Sequence, residues 1–189
     1  APLGHEISFF LEAHIEQGPI LEGEGKTIGI VSGAQAQRWY EVTITGQDAH
    51  AGTTPMDRRR DALVGAAAVI TEVNRIAVET PDGRATVGVL ELANSSRNTI
   101  PGRVFFTVDL RHPKDGILAN MAADFSEYLA GIGRENNLEL EVNEIFQVAA
   151  LEFDARVKVA ITKSAETLAY DTMGVVSGAG HDACNIAHV

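Results

Sequence analysis

The feature that most constrains the fold is a change of hydrophobic period in the middle of the chain. Apolar residues recur at every second position in some segments, as in strands, and at every third or fourth position in others, as in helices. In chain order the predicted elements are a strand, a helix, two strands, a helix and a strand, at residues 39–45, 54–76, 86–92, 104–110, 117–132 and 138–143. This β-α-β-β-α-β order is the split-βαβ or ferredoxin-like arrangement. The predicted fold class is therefore α+β.

Each of the two predicted helices presents one apolar stripe. The first helix should begin at Thr54 and Pro55, because a hydroxyl residue followed by proline is typical of a helix start. Its stripe comprises Ala62, Ala66, Val69, Val73 and Ile76. The stripe of the second helix comprises Ile117, Leu118, Met121, Ala122, Phe125, Tyr128, Leu129 and Ile132. Both stripes should face the sheet and leave its other face, or an edge, free for a partner.

The segments on either side of this unit have a different character. The first contains a polar-faced strand, and the last restarts with a helix capped by Asp154, a short strand at 175–177 and a glycine loop. We therefore predict three segments, in which residues 1–34 and 151–189 are pieces of one α/β domain and residues 35–150 are a domain inserted between them. Both ends of the sequence look cut, so we expect a fragment whose outer α/β domain is truncated.

Composition and charge restrict the class of partner. The formal net charge of -11 argues against nucleic acid, because binding to phosphates needs clustered Lys and Arg. No apolar run reaches the length of a membrane helix, so no membrane partner is expected. The single cysteine, Cys184, excludes an internal disulfide, which suits a reducing compartment. The sequence therefore predicts a cytoplasmic globular protein.

A histidine between two carboxylates is the first candidate for chemistry. Residues 9–16 alternate as a strand would, and this pattern sends Glu12, His14 and Glu16 to one polar face. Neutral imidazole binds zinc, nickel or manganese, and a neighbouring carboxylate can fix its tautomer. We interpret His14 as a candidate metal ligand. The alternative is a solvated histidine on a surface strand.

A second histidine opens a loop of small residues. His50 is followed by Ala-Gly-Thr-Thr-Pro at 51–55, which leads into the first predicted helix. An imidazole in such a loop can donate a hydrogen bond to an oxygen that becomes negative during acyl transfer. It can equally cap or fill a turn. The residues by themselves do not decide between these two roles.

Two further stretches contain groups suited to a small anionic ligand. Asn98 lies in a turn between strands, and Arg111 ends the strand that follows. Guanidinium binds carboxylate in a bidentate fork, and the two head groups could converge on one ligand only if the turn folds back. The loop Gly-Ala-Gly-His-Asp at 178–182 could bring His181 to a ligand, because glycine permits close backbone approach. Taken singly, each of these residues also has a structural explanation, and the loop could be a tight turn with a polar tip.

Five of these motifs, in this order, resemble the metal-dependent amidohydrolases of the M20 peptidase superfamily. They lie at residues 14–19, 46–55, 59–62, 98–102 and 178–182. The most similar branch contains N-carbamoyl-L-amino-acid hydrolases, β-ureidopropionases and allantoate amidohydrolases. The resemblance implies hydrolysis of the carbamoyl C–N bond of N-carbamoyl-L-amino acids to amino acid, ammonia and carbon dioxide. It also implies a ferredoxin-like lid that makes a homodimer, inserted into a zinc-peptidase-like catalytic domain.

The resemblance assigns roles to individual residues. His14 matches a ligand of a centre with two divalent metal ions, such as zinc, manganese, nickel or cobalt, and Gln17 matches a substrate-contacting amide. His50 matches a histidine that enters the partner subunit's site and polarises the scissile carbonyl. Asn98 and Arg111 match the pair that grips the carboxylate of a ureido substrate.

The resemblance further implies that His181 contacts the reacting group. Several family features are missing from the sequence: an N-terminal metal-binding His, a bridging Asp, a Glu-Glu pair with the catalytic base, and a final ligand His. One imidazole cannot hold two metal ions, so the fragment alone is expected to be inactive. The alternatives are an allantoate amidohydrolase and, in another class, a non-catalytic dimerisation or ligand-binding domain. An M20 aminopeptidase or deacylase is less favoured, because the motifs at 51–55 and 178–182 occur together.

Overall fold

The computed structural model describes residues 8–187, which divide into two compact units. The inner unit comprises Ala36–Ala150, and the outer unit joins the segment ending at Gln35 to the segment starting at Leu151. The terminal residues to which the prediction of cut ends applies, 1–7 and 188–189, lie outside the described residues. That the outer unit is part of a larger catalytic domain stays a prediction.

The chain contains both helices and strands, and several strands follow one another without a helix between them. The helices, in chain order, are α1 (Ile20–Gly23), α2 (Ala62–Glu79), α3 (Asp115–Glu135), α4 (Ala155–Thr167) and α5 (Asp182–Ile186). The strands are β1 (Ile28–Ala34), β2 (Ala36–Thr45), β3 (Ala49–His50), β4 (Arg84–Thr86), β5 (Leu90–Leu92), β6 (Thr99–Ile100), β7 (Arg103–His112), β8 (Glu139–Val148), β9 (Leu151–Glu152) and β10 (Thr172–Ser177).

The inner unit is an antiparallel sheet with the strand order β4-β7-β2-β8, and β5 also pairs with β7. With α2 and α3 between the strands, the chain order is the predicted β-α-β-β-α-β. The α+β class is confirmed. β3 and β6 form a separate two-stranded sheet, in which Ala49 pairs with Ile100 and His50 pairs with Thr99.

The core of the inner unit lies between the sheet and the two helices. Alternate residues of β2 and β7 point into it, and Val42, Ile44, Val104 and Phe106 are fully buried. The stripe predicted for α2 is buried as expected. The stripe of α3 has one error, because Tyr128 is 37% exposed.

The predicted start of the first helix is wrong by about two turns. Pro55 has an extended ψ of 153°, and residues Met56–Arg58 form only a single 3-10 turn. α2 begins at Ala62, where the side chain of Asp61 accepts hydrogen bonds from the backbone N–H groups of Leu63 and Val64 at 3.0 and 3.1 Å. Asp61 therefore caps the helix, because it satisfies two N–H groups that have no partner in the first turn.

Two predicted strands also need correction. Residues 9–16 form no strand, and within the described part of the chain no other segment pairs with them. All of these residues are exposed, and alternation of apolar residues does not make a strand where no ladder partner is present. The strand predicted at 86–92 is split into β4 and β5, both on the edge of the sheet next to β7.

In the described residues, the outer unit contains a three-stranded sheet and the helices α1, α4 and α5, of which α4 packs on β1. β1 lies between β10, which is parallel to it, and β9, which is antiparallel. Asp154 caps α4 as predicted, since its side chain accepts from the backbone N–H of Arg156 at 2.7 Å. Leu168, which follows α4, is 66% exposed. Within residues 8–187, none of the helices is both long enough and apolar enough to cross a membrane.

Candidate functional site

The outer unit brings together three side chains of the types that bind metal ions. One carboxylate oxygen of Glu12 and one ring nitrogen each of His14 and His181 lie within 4.8 Å of one another. The centroids of the two imidazole rings are 4.5 Å apart. One carboxylate and two imidazoles are a ligand set that suits zinc and other divalent transition metals. The residues of this cluster therefore fit a divalent cation.

Backbone hydrogen bonds orient two members of the cluster. Nδ1 of His14 lies 2.7 Å from the carbonyl oxygen of Ile15. Because a carbonyl oxygen only accepts, Nδ1 has the proton and Nε2 retains the lone pair. Oε2 of Glu12 accepts from the backbone N–H of Ala183 at 2.9 Å. A metal-binding histidine commonly donates its second N–H in this way, which fixes its orientation.

His181 enters the cluster from the glycine loop that follows β10. The hydroxyl of Ser177 lies 2.6 Å from Nε2 of His181, and α5 begins immediately after the histidine. The sequence predicted a ligand-contacting loop here without indicating which residues it would meet. The structure places His181 beside His14 and Glu12.

The other polar residues of this first segment have different surroundings. The carboxylate of Glu16 accepts from the backbone N–H groups of Ile20 and Leu21 at 2.8 and 3.0 Å. Glu16 therefore caps α1, although the strand pattern had placed it with His14. Gln17 is exposed and has a left-handed φ of 56°. Its role as a substrate-contacting amide stays a prediction.

In the inner unit, His50 is presented as a hydrogen-bond donor. It lies at the end of β3, is exposed, and its Nδ1 accepts from the backbone N–H of Gly52 at 3.0 Å. Because Nδ1 accepts, the neutral ring has its proton on Nε2. An outward-facing N–H is the property that a donor to a developing oxyanion requires.

Asn98 lies next to the His50 loop, because the short strands β3 and β6 pair. Its backbone carbonyl accepts from the N–H of Ala51 at 2.8 Å. Its side-chain Oδ1 accepts from the hydroxyl of Ser96 at 3.0 Å. The sequence offered no signal for this neighbourhood, since the two strands are far apart along the chain.

Arg111 lies in the main sheet of the inner unit, near the end of β7 that is remote from Asn98. Along β7, Arg103 lies opposite Thr45 and Arg111 lies opposite Gln37. Eight residues at about 3.3 Å each separate the two ends by about 26 Å. Asn98 precedes the Arg103 end, so the turn does not fold back towards Arg111. Within one chain, the structure brings Asn98 to His50 and not to Arg111.

The guanidinium of Arg111 is held by a neighbour on its own strand. Nε lies 3.0 Å from each carboxylate oxygen of Asp109, and Nη2 lies 2.5 Å from Oδ2. Both side chains are about a quarter exposed, at 26% and 27%. The strand pattern of the sequence places Asp109 on the same face as Arg111, but it did not predict that the two side chains pair.

The fold and the site together indicate the class of protein. The chain has a split-βαβ inner unit and an outer unit with a histidine–carboxylate cluster. Residues 33–137 match the peptidase dimerisation domain of M20 proteins. The chain belongs to this M20 peptidase dimerisation-domain family.

Individual relatives agree with this assignment. The chain is 39% identical over 181 residues to an N-carbamoyl-L-amino-acid amidohydrolase of Rhizobium meliloti, covering 95% of this chain and 44% of the relative. It is 37% identical over 179 residues to an allantoate amidohydrolase of Bacillus subtilis, covering 94% and 43%. A crystal structure of a hydantoinase/carbamoylase family amidase from Burkholderia multivorans matches with a TM-score of 0.89 and 54% identity, over 93% of this chain and 43% of that one. The chain thus spans less than half the length of these relatives.

Proposed function

We propose that the protein containing this chain is a metal-dependent amidohydrolase. It cleaves the carbamoyl C–N bond of N-carbamoyl-L-amino acids with one water, giving the free amino acid, ammonia and carbon dioxide. The observation that supports this most directly is the cluster of Glu12, His14 and His181, in a chain similar to N-carbamoyl-L-amino-acid amidohydrolases. The single cysteine favours a cytoplasmic location within the same proposal.

Metal binding in this chain is assigned to His14. Divalent ions, when bound, supply a Lewis acid for the ureido carbonyl and a water of lowered pKa. His14 would bind through Nε2, since the proton on Nδ1 is donated to the carbonyl of Ile15. His181, whose ring lies beside that of His14, contacts the reacting group, and Gln17 contributes a further contact to the substrate.

His50 stabilises the oxygen of the scissile carbonyl. The Gly52 N–H occupies Nδ1, so Nε2–H donates to the oxygen as negative charge develops on it. The neutral ring donates without having to ionise first. His50 is the catalytic residue of the inner unit in this proposal.

The substrate carboxylate binds to Arg111, whose fork is oriented by Asp109. Because His50 and Asn98 lie beyond the Arg103 end of β7 and Arg111 lies near its other end, one chain cannot supply all three to one small ligand. A homodimer through this domain resolves the conflict, since one copy supplies Arg111 and its partner supplies His50 and Asn98. The family description as a dimerisation domain supports this arrangement.

The test uses the natural full-length protein with several N-carbamoyl-L-amino acids and with allantoate. We expect bound divalent metal that is lost in His14→Ala but retained in Glu22→Gln, a change at an exposed carboxylate of α1. We expect His50→Ala to lower kcat by roughly 100- to 1,000-fold. Absence of ureido hydrolysis with metal bound, or full activity without metal, would refute the proposal.

Allantoate hydrolysis is the second candidate, and it is favoured by the Bacillus subtilis relative at 37% identity. Allantoate also has a carboxylate for Arg111 and a ureido group for His50. The ratio of kcat/KM between allantoate and the preferred N-carbamoyl amino acid decides between the two. A protein that dimerises and binds these compounds without turning them over would support the non-catalytic alternative.

A further inference from the structure

The loop from His50 to Thr54 is exposed at its tip and yet fixed at several points. The backbone N–H of Thr54 donates to the carbonyl of His50 at 3.1 Å, and the N–H of Ala51 donates to the carbonyl of Asn98 at 2.8 Å. These bonds close the loop into a tight turn. They leave the carbonyls of Ala51 and Thr54 to be satisfied from elsewhere.

Arg59 satisfies both of these carbonyls. Its Nη2 donates to the carbonyl of Ala51 at 2.7 Å, and its Nε donates to the carbonyl of Thr54 at 3.1 Å. The side chain is partly buried. One rigid guanidinium therefore bridges the two sides of the loop, which a single-point ammonium would not do.

The two neighbouring arginines have different partners. Arg58 is 78% exposed and lies 3.5 Å from Asp57. Arg60 donates to the carbonyl of Asn137 at 2.6 Å and to Glu139 at 3.3 Å. Of the three consecutive arginines, Arg59 is the one that contacts the loop next to His50.

The bridged loop determines the tautomer of His50. Gly52 lies inside the span that Arg59 bridges, and its N–H reaches Nδ1 of His50 at 3.0 Å. A Cβ at position 52 would lie 3.1 Å from Cε1 and 3.4 Å from Nδ1 of this ring. Glycine thus permits the approach, and the loop geometry keeps the N–H directed at Nδ1.

We propose that Arg59 is a positioning residue for His50: by bridging the carbonyls of Ala51 and Thr54 it holds the Gly52 N–H on Nδ1, so that His50 presents its proton on Nε2. This inference rests on the proposed function for the role of His50, because a donor at Nε2 matters only if a carbonyl oxygen receives it. Arg59 itself contacts neither substrate nor reacting atoms.

The kinetic test uses the natural full-length protein and an N-carbamoyl-L-amino acid. Arg59→Met should lower kcat by about 10- to 100-fold with KM changed by less than about threefold, because a misplaced catalytic group costs rate more than ground-state binding. Arg59→Lys, which can reach one carbonyl, should recover part of the loss. Arg58→Met is the matched control and should leave kcat unchanged.

A double-mutant cycle separates positioning from general damage. If Arg59 acts through His50, Arg59→Met should change kcat by less than about twofold in a His50→Ala background. An equal loss in both backgrounds would overturn the inference. Gly52→Ala should mimic Arg59→Met, because it displaces the N–H from the ring.

Hydrogen exchange tests the same inference without activity. The amides of Gly52 and Thr54 should exchange at least about tenfold faster in Arg59→Met and at the wild-type rate in Arg58→Met. Unchanged exchange in Arg59→Met would overturn the inference whatever the kinetics show. If His50→Ala retains full kcat, the proposed role of His50 fails, and the exchange measurement still decides whether Arg59 holds the loop.

Discussion

The inner and outer units differ in how much apolar surface they bury. The inner unit has one continuous core of aliphatic and aromatic side chains. In the described part of the outer unit the buried apolar residues are Ala34 and Ala165, while Phe9 and Ile15 are 71% and 75% exposed. Burying a large apolar side chain stabilises a fold by about 1.5–3 kcal/mol. The inner unit therefore has its own source of stability, and the outer unit gains little from burial of large side chains.

The strongest test of this comparison is a pair of phenylalanine truncations. Phe106→Ala should lower the free energy of unfolding of the inner unit by about 3–5 kcal/mol, because a fully buried ring leaves a cavity. Phe9→Ala in the outer unit is the matched control and should leave it unchanged. Urea unfolding followed by the fluorescence of Trp39, the single tryptophan, reports on the inner unit. Equal effects of the two changes would contradict the comparison.

A smaller effect is expected from the two helix caps. Asp61→Ala should cost the inner unit about 1 kcal/mol, because two N–H groups of α2 lose their acceptor. Asp154→Ala removes the corresponding cap of α4 in the outer unit. Its effect should appear as faster amide exchange in α4 without a shift of the Trp39 transition. A shift of that transition by Asp154→Ala would show that the units do not unfold separately.

We expect the free energy of unfolding of the inner unit to fall at alkaline pH. Burial of the Tyr40 ring raises the pKa of its hydroxyl above the usual 10.0. The carboxylate of Glu144, which accepts a hydrogen bond from this hydroxyl at 2.8 Å, acts in the same direction. The folded state thus favours the neutral phenol. The contribution of the neutral Tyr40 phenol to the stability of the fold is complete below pH 10 and is lost as the pH rises through the raised pKa. In Tyr40→Phe this part of the pH dependence should disappear from the Trp39 unfolding curve.

At acid pH we expect the outer unit to lose some of its stability. The Arg156 guanidinium, with backbone N–H bonds, lowers the pKa of Asp154 from 3.8 to about 2. Its stabilising effect is complete above pH 3.8 and is lost as the pH falls towards 2. Exchange protection in α4 should follow this titration, and Asp154→Asn should remove the dependence.

The parts of the structure that followed from sequence are those set by local periodicity. Val42 and Ile44 alternate with polar residues, and the predicted stripe of α2 is buried along its length. Where two local signals competed, the prediction failed: Thr54 and Pro55 suggested a helix start, but Asp61 is the residue that caps it. The strand predicted at 9–16 failed because periodicity describes a face and does not supply a pairing partner.

The candidate site could be predicted only as separate residues. His14 and His181 were identified from their motifs, but their contact depends on packing between segments that are distant in sequence. Asn98 was paired with Arg111 because both suit a carboxylate, whereas strand pairing places Asn98 with His50. The hydrogen bonds that determine a tautomer, such as that from Gly52 to His50, depend on the exact geometry of loops. They leave no periodic signal in the sequence.

The length of β7, which keeps Arg111 far from His50 within one chain, has a genetic consequence. In the proposed dimer each reaction centre takes Arg111 from one copy and His50 from the other. A change at position 50 and a change at position 111 therefore damage different contributions to a centre. A mixed dimer of such copies rebuilds one intact centre from its two unaltered halves. Two inactive alleles expressed together should therefore restore part of the activity, whereas either allele alone should not.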